Sequence, residues 1–215
     1  MKILPWRTHD QPSVSEGLRH FFADVAAATL RIGHFRRDVA AIASKDPALR
    51  GGGLRLLEVP LYASFQALFI HRVAQALHAS AVPFVPRFLS QLARFLTGIE
   101  IHPGALIGAG LFIDHGMGVV IGETAIVGDN VLLFHGVTLG GVDDRLGRRH
   151  PRLGDGVVVG AGAKILGPLD IGSGARIGAQ AVVLADIPAN ATAVGIPARV
   201  VCVRPRPYVR PQLRC

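Results

Sequence analysis

The sequence predicts an α+β chain in which an N-terminal α-helical domain is followed by a parallel β-helix of hexapeptide repeats. Three observations predict it. Aliphatic residues recur every six positions at Ile101, Ile107 and Ile113, at Ile121, Val127, Leu133 and Leu139, and at Leu153, Val159, Ile165, Ile171, Ile177 and Val183. A six-residue period of this kind belongs to a coil of three short walls. Glycine changes density along the chain: 20 of the 26 lie between residues 99 and 198, where tight corners would be needed. Aromatic residues do the opposite, with eight of the ten Phe and the single Trp before Gly98.

In the first part, apolar residues stand at helical spacing: Phe21, Phe22, Val25, Ala28, Thr29 and Ile32, then Leu61, Phe65, Leu68, Phe69, Val73 and Leu77, then Phe88, Leu92, Phe95 and Leu96. Ser15, the Asp46-Pro47 step, the run Gly51-Gly52-Gly53 and the prolines at 83 and 86 punctuate three or four helices. From residue 99 the repeat gives about five coils of roughly 18 residues, with the aliphatic residues pointing inward and the small ones, such as Gly108, Gly128, Ala125 and Ala163, assigned to the corners. A sandwich of ordinary strands would alternate with period two, which this stretch does not. The expected organisation is a helical domain 1–98, a β-helix 99–198 and a basic tail 199–215. Because a solenoid touches only its neighbours along the axis, the helices are expected to cap the first coil and the tail the last.

Basic residues outnumber acidic ones 23 to 15, but Arg199, Arg204, Arg206, Arg210 and Arg214 all fall in the final 17 residues. The charge of +8 is thus largely a property of the tail, and no nucleic-acid-binding motif accompanies it. No apolar run reaches the roughly 20 residues of a membrane span, and the opening MKILPWRTHD does not read as a signal peptide. Two cysteines, Cys202 and Cys215, make neither a disulfide framework nor a cysteine metal site. A cytoplasmic protein is expected, with neither nucleic acid nor membrane as partner.

The frame breaks twice, and breaks are where repeat proteins build sites. Between Ile113 and Ile121 two extra residues push Asp114, His115, Gly116, Met117 and Gly118 out of the wall. Between Leu139 and Leu153 the stretch GVDDRLGRRHP replaces aliphatic residues with charge. A histidine beside a carboxylate, here Asp114, Glu100 or Glu123, suits general-base catalysis near neutral pH. Arg149 and His150 on the second excursion suit a substrate carboxylate, since a guanidinium binds one through two parallel hydrogen bonds. A rival reading gathers His102, His115, His135 and His150 as zinc ligands. From these residues alone, transfer to a hydroxyl acceptor such as a sugar, a zinc site and a noncatalytic scaffold all stay open.

The strings TGIEIHPGA, FIDHGMGVVIGETA, HGVTLGG, RRHP, GAGAKILG and VGIPAR resemble the serine O-acetyltransferases, nearly without gap from Thr97 to Arg199, and RRDVAAIASKDPAL extends the likeness into the helices. The resemblance implies left-handed β-helices assembled as a homotrimer, with a hexamer as the alternative that longer relatives form, and with active sites between subunits. It implies transfer of acetyl from acetyl-CoA, a co-substrate and not a resident cofactor, to L-serine, giving O-acetylserine for cysteine synthesis. It implies His115 as general base with Glu100 as its carboxylate, where many members carry Asp. Asp46, Asp114, Arg149 and His150 match serine-contacting positions, and Gly140, Gly141, Ala161 and Arg176 match CoA-binding ones. No metal is implied. L-cysteine is expected as feedback inhibitor. Docking to O-acetylserine sulfhydrylase stays open: the family's docking peptide usually ends in isoleucine, and this chain ends RPQLRC.

Overall fold

The computed structural model describes residues 34–49, 53–144 and 147–203. The predicted helix around Phe21–Ile32 and the tail beyond residue 203 lie outside them. Helix α1 covers residues 34–45, followed by short 3-10 segments at Pro47–Leu49 and Gly53–Leu61. An antiparallel pair follows, α2 at Ala63–Ala79 and α3 at Val85–Thr97. Pro86 opens α3, where its missing N–H costs nothing. Gly98 closes it in the left-handed region at φ 71°, its N–H donating to the Arg94 carbonyl at 2.8 Å. A side chain at Gly98 would also strike Met117, so both backbone and space require glycine there.

The described residues from 99 onward form the parallel β-helix. Wall one carries β1 (Glu100–Ile101), β4 (Val120–Ile121), β7 (Thr138–Gly140), β10 (Lys164–Leu166) and β13 (Val182–Val183). Wall two carries β2 (Leu106–Ile107), β5 (Ile126–Val127), β8 (Arg152–Leu153) and β11 (Asp170–Ile171). Wall three carries β3 (Phe112–Asp114), β6 (Leu132–Phe134), β9 (Val158–Val159), β12 (Arg176–Ile177), β14 (Ala191–Val194) and β15 (Arg199–Val203). Successive coils pair in parallel and in register, Ile101 on Ile121 and Ile121 on Leu139, so each hexapeptide frame position stacks on its own kind.

All thirteen frame residues are buried, none above 5 % exposed. Ala105, Ala125, Ala163, Ala175 and Ala181 are fully buried as well. Small residues at the corners therefore lie inside the prism, buried with the aliphatic frame. Residues 199–203, expected as tail, form β15, antiparallel to β14.

The first coil's open end is an unpaired sheet edge, and the helices satisfy it with side chains. The Ser64 hydroxyl accepts from Ile113 N–H at 3.0 Å, and the Asp38 carboxylate from Gly110 N–H at 2.7 Å. Arg72 donates to the Ile107 and Gly108 carbonyls at 2.5 and 2.6 Å, Gln75 to Ala105 at 2.5 Å, and Ser90 to Ile101 at 2.7 Å. Leu68 and Ala67 close the hydrophobic column from below. Arg72 is itself held by Asp38 at 3.1 Å, both buried, so the cap carries its charges as a pair.

Candidate active site

His115 stands at the corner where wall three turns into wall one, its backbone at φ 62° and its side chain 76 % exposed. A non-glycine residue in that region stores strain, and the surrounding turn holds it there: the Met117 N–H donates to the His115 carbonyl at 2.9 Å and the Gly118 N–H to Gly98 at 2.9 Å. The two inserted residues therefore lift an imidazole off the wall. The Asp114 carboxylate lies 3.8 Å from His115 Nε2, and the His135 ring one coil on meets His115 edge to face at 6.0 Å. A cavity of about 250 Å³ opens here, lined by Asp46, Tyr62, Ser64, Asp114 and His115 among others. The structure thus brings Asp46, at the end of α1, to Asp114 and His115.

It does not bring Glu100 there. Glu100 leaves wall one toward α3, whose Arg94 lies 3.2 Å and Arg87 3.8 Å from its carboxylate oxygens. Two guanidinium groups hold that carboxylate, and the carboxylate beside His115 within this chain is Asp114.

Arg149 and His150 sit at a different corner, where wall one turns into wall two. The Arg149 guanidinium donates to the Glu123 carboxylate, and this contact holds Glu123 below its ordinary pKa. His150 is 8 % exposed, and burial lowers its pKa. Its Nδ1 accepts the Thr124 N–H at 3.2 Å, which fixes the neutral ring as the Nε2–H tautomer. Thr124 anchors the Arg149–His150 end of the loop: its hydroxyl accepts from the N–H groups of Arg149 and His150 at 3.0 and 3.1 Å and lies 2.9 Å from His150 Nδ1. The ring packs against Gly122, where any side chain would overlap it. Sequence reasoning missed Thr124 as a site residue although it sits inside the GETA string, because a threonine in a repeat carries no chemical signal of its own.

The four CoA positions are dispersed. Ala161 shares the His115 corner two coils further along, since the Gly162 N–H bonds the His135 carbonyl as Gly136 does Met117. Gly140 and Gly141 lie at the Arg149 corner, with Gly141 beside His150. Arg176 lines a groove of about 550 Å³ at the third corner with Asp155, Asn130 and Asn190, away from the other three. The histidines of the rival zinc reading divide likewise, His115 and His135 at one corner, His102 and His150 at another. Among the described residues no group of three or more His, Cys, Asp or Glu side chains is close enough to hold a metal ion. Nor is any described helix long and apolar enough to cross a membrane.

Residues 150–185 match the bacterial transferase hexapeptide (six repeats) model. Over 165 residues, 76 % of this chain and 66 % of the relative, the sequence is 59 % identical to the serine acetyltransferase of Synechococcus elongatus. Over 160 residues, 74 % of this chain and 92 % of the relative, it is 58 % identical to that of Helicobacter pylori. The chain belongs to the serine acetyltransferase family. The solved Neisseria gonorrhoeae serine acetyltransferase superposes with a TM-score of 0.79 at 38 % identity, over 90 % of this chain and 72 % of that one. Family structures in complex with serine, with cysteine and with coenzyme A superpose at TM-scores of 0.75, 0.77 and 0.76. The fold is that family's helical cap and left-handed parallel β-helix.

Proposed function

We propose that the protein transfers acetyl from acetyl-CoA to the hydroxyl of L-serine, with L-cysteine competing for the same pocket, and that it works as a cytoplasmic homotrimer. The observation that carries this reading is the cavity in which Asp46, Asp114 and His115 converge, in a chain 59 % identical to a serine acetyltransferase. Serine's hydroxyl is too weak an acid to attack a thioester unaided. His115 takes its proton as the oxygen adds to the acetyl carbonyl, and returns that proton to the departing CoA thiolate when the C–S bond breaks. No acetyl-enzyme forms. Asp114, beside the ring, favours the imidazolium that appears midway, and Asp46 receives the serine ammonium.

Arg149 and His150 supply the carboxylate contact from a neighbouring subunit. The two corners flank the same wall, so three chains packed around wall one would set the His115 corner of each against the Arg149 corner of the next. Acetyl-CoA would enter along that seam, past Ala161 on one side and Gly140 and Gly141 on the other.

Thiol release from acetyl-CoA in the presence of L-serine tests the activity. Release with a sugar but not with serine would overturn it. The composite site is tested by co-assembling His115→Ala with Arg149→Ala chains. Two inactive parents should recover about a quarter of wild-type activity, because about one interface in four of a randomly mixed ring joins two intact halves. No recovery in mixed assemblies would place both halves in one chain.

A further inference from the structure

Tyr62 has no part in the chemistry above, yet it lines the His115 cavity together with Asp46, Asp114 and Ser64. It is the last residue before α2, and its backbone is tied at both ends: its N–H donates to the Val59 carbonyl and its own carbonyl accepts from Gln66 N–H, each at 3.1 Å. Its ring packs against the apolar cluster of Ile42, Leu49, Val59 and Phe112, which joins α1, the 3-10 segments and wall three. The phenol reaches out of that cluster to hydrogen-bond Asp46.

Asp46 is equally constrained. Its backbone N–H continues α1 to the Ile42 carbonyl at 3.1 Å, and its Oδ1 accepts the Ala48 N–H at 2.8 Å. The neighbouring Lys45 clamps this end of α1 to the solenoid, its ammonium 3.0 Å from the Asn130 carbonyl and 3.3 Å from that of Gly110. A carboxylate has about four acceptor positions, so one backbone donor and one phenol leave capacity for a cation on the cavity side.

We propose that Tyr62 is a positioning residue for the amino-acid substrate, its phenol orienting the Asp46 carboxylate to receive the substrate ammonium opposite Asp114 and His115. The inference rests on the reading that this cavity takes serine. The Asp46 hydrogen bond, assisted by partial burial and by the charges of Asp46, Glu58 and Asp114, pushes the Tyr62 phenol up to about 12. Tyr62 therefore remains a donor throughout the range in which His115 acts as a base, and it adds no ionisation of its own to the pH profile.

The test is a double-mutant cycle on the full chain with Tyr62→Phe, Asp46→Asn and the pair, measuring KM for serine, KM for acetyl-CoA and kcat. Tyr62→Phe should raise KM for serine roughly tenfold, the scale of one hydrogen bond to a charged group, with kcat less affected and KM for acetyl-CoA unchanged. Added to Asp46→Asn it should cost almost nothing, since the group it acts through is already disabled. An unchanged KM for serine, a parallel rise in KM for acetyl-CoA, or a full tenfold loss on top of Asp46→Asn would each overturn the proposal. Wild-type protein that releases no thiol with serine would overturn the function itself; serine turnover with an unaltered Tyr62→Phe variant would overturn this inference alone.

Discussion

Thr124→Val isolates what fastens the Arg149–His150 loop to the solenoid. The substitution keeps the shape and removes one hydroxyl, which accepts two backbone N–H groups at 3.0 and 3.1 Å and lies 2.9 Å from His150 Nδ1. His150 is 8 % exposed, so water does not readily replace what is lost. Taking about 1 kcal/mol for each of the two backbone bonds, local closure of the loop should weaken by about 2 kcal/mol. Hydrogen exchange at the Arg149 and His150 amides would then speed up about thirtyfold, with the amides of the wall strands unaffected. A displacement of about 1 Å at a substrate-holding arginine can cost about a hundredfold in rate, so kcat/KM for serine should fall by one to two powers of ten. Affinity for acetyl-CoA should hold. Thr124→Ser, which keeps the hydroxyl, should stay close to wild type in both assays. If Thr124→Val exchanged these amides at the wild-type rate, or lost activity no more than Thr124→Ser, the hydroxyl would not be what orders the loop.

His115→Ala should lower turnover by several powers of ten with acetyl-CoA affinity nearly unchanged, and binding plus single-turnover measurements check both. Asp114→Asn should cost more turnover than Glu100→Gln, because Asp114 is beside the imidazole while Glu100 is held by Arg94 and Arg87; the reverse order in kcat would return the partnership to Glu100. Arg149→Lys keeps the charge but loses the planar fork, and should weaken serine and competing cysteine together by about 1–3 kcal/mol; weaker acetyl-CoA binding instead would make Arg149 a phosphate contact. Burial lowers the pKa of both His102 and His150, so below about pH 6.5 the unfolded chain takes up protons that the folded one resists. Stability should be fully present above about pH 6.5 and decline as the pH falls toward the depressed folded values, and His150→Gln should flatten that decline in denaturant titrations.

The β-helix was legible because its core repeats a single residue class at a single spacing, and each of the thirteen frame positions proved buried. A six-residue period fixes which positions are equivalent, but not whether a small residue sits inside a vertex or outside it; burial shows that these alanines sit inside. Both excursions, the one carrying His115 and the one carrying Arg149, were visible as breaks in the period. What the sequence could not carry was partnership. Glu100 and His115 are fifteen positions apart in the chain, less than one coil, yet α3 brings Arg94 and Arg87 to that carboxylate first. Tyr62 and Thr124 escaped notice because an isolated phenol or hydroxyl acquires a role only through the carboxylate or loop placed next to it.

On the proposed function, the location of the cavity ties catalysis to the way the solenoid is terminated. Asp46, Tyr62, Ala63 and Ser64 come from the helical cap, while Phe112, Ile113, Asp114 and His115 come from the first coil, so the pocket is the seam between them. Ser64 belongs to both tasks: it lines the cavity, and its hydroxyl takes the Ile113 N–H that would otherwise face outward from the end of wall three. An end cap is where a one-dimensional stack needs new side chains anyway, because its last coil has lost the neighbour that would satisfy its backbone. With acceptor recognition proposed there, one set of packed residues, the cluster of Ile42, Leu49, Val59 and Phe112, holds the cap and lies under the Asp46 carboxylate proposed to receive the substrate. It also means that the helices cannot be removed as a dispensable accessory. A chain beginning at the first coil would expose the Ile101, Ala105, Ile107 and Gly108 carbonyls together, and would lose Asp46 and Tyr62 in the same stroke.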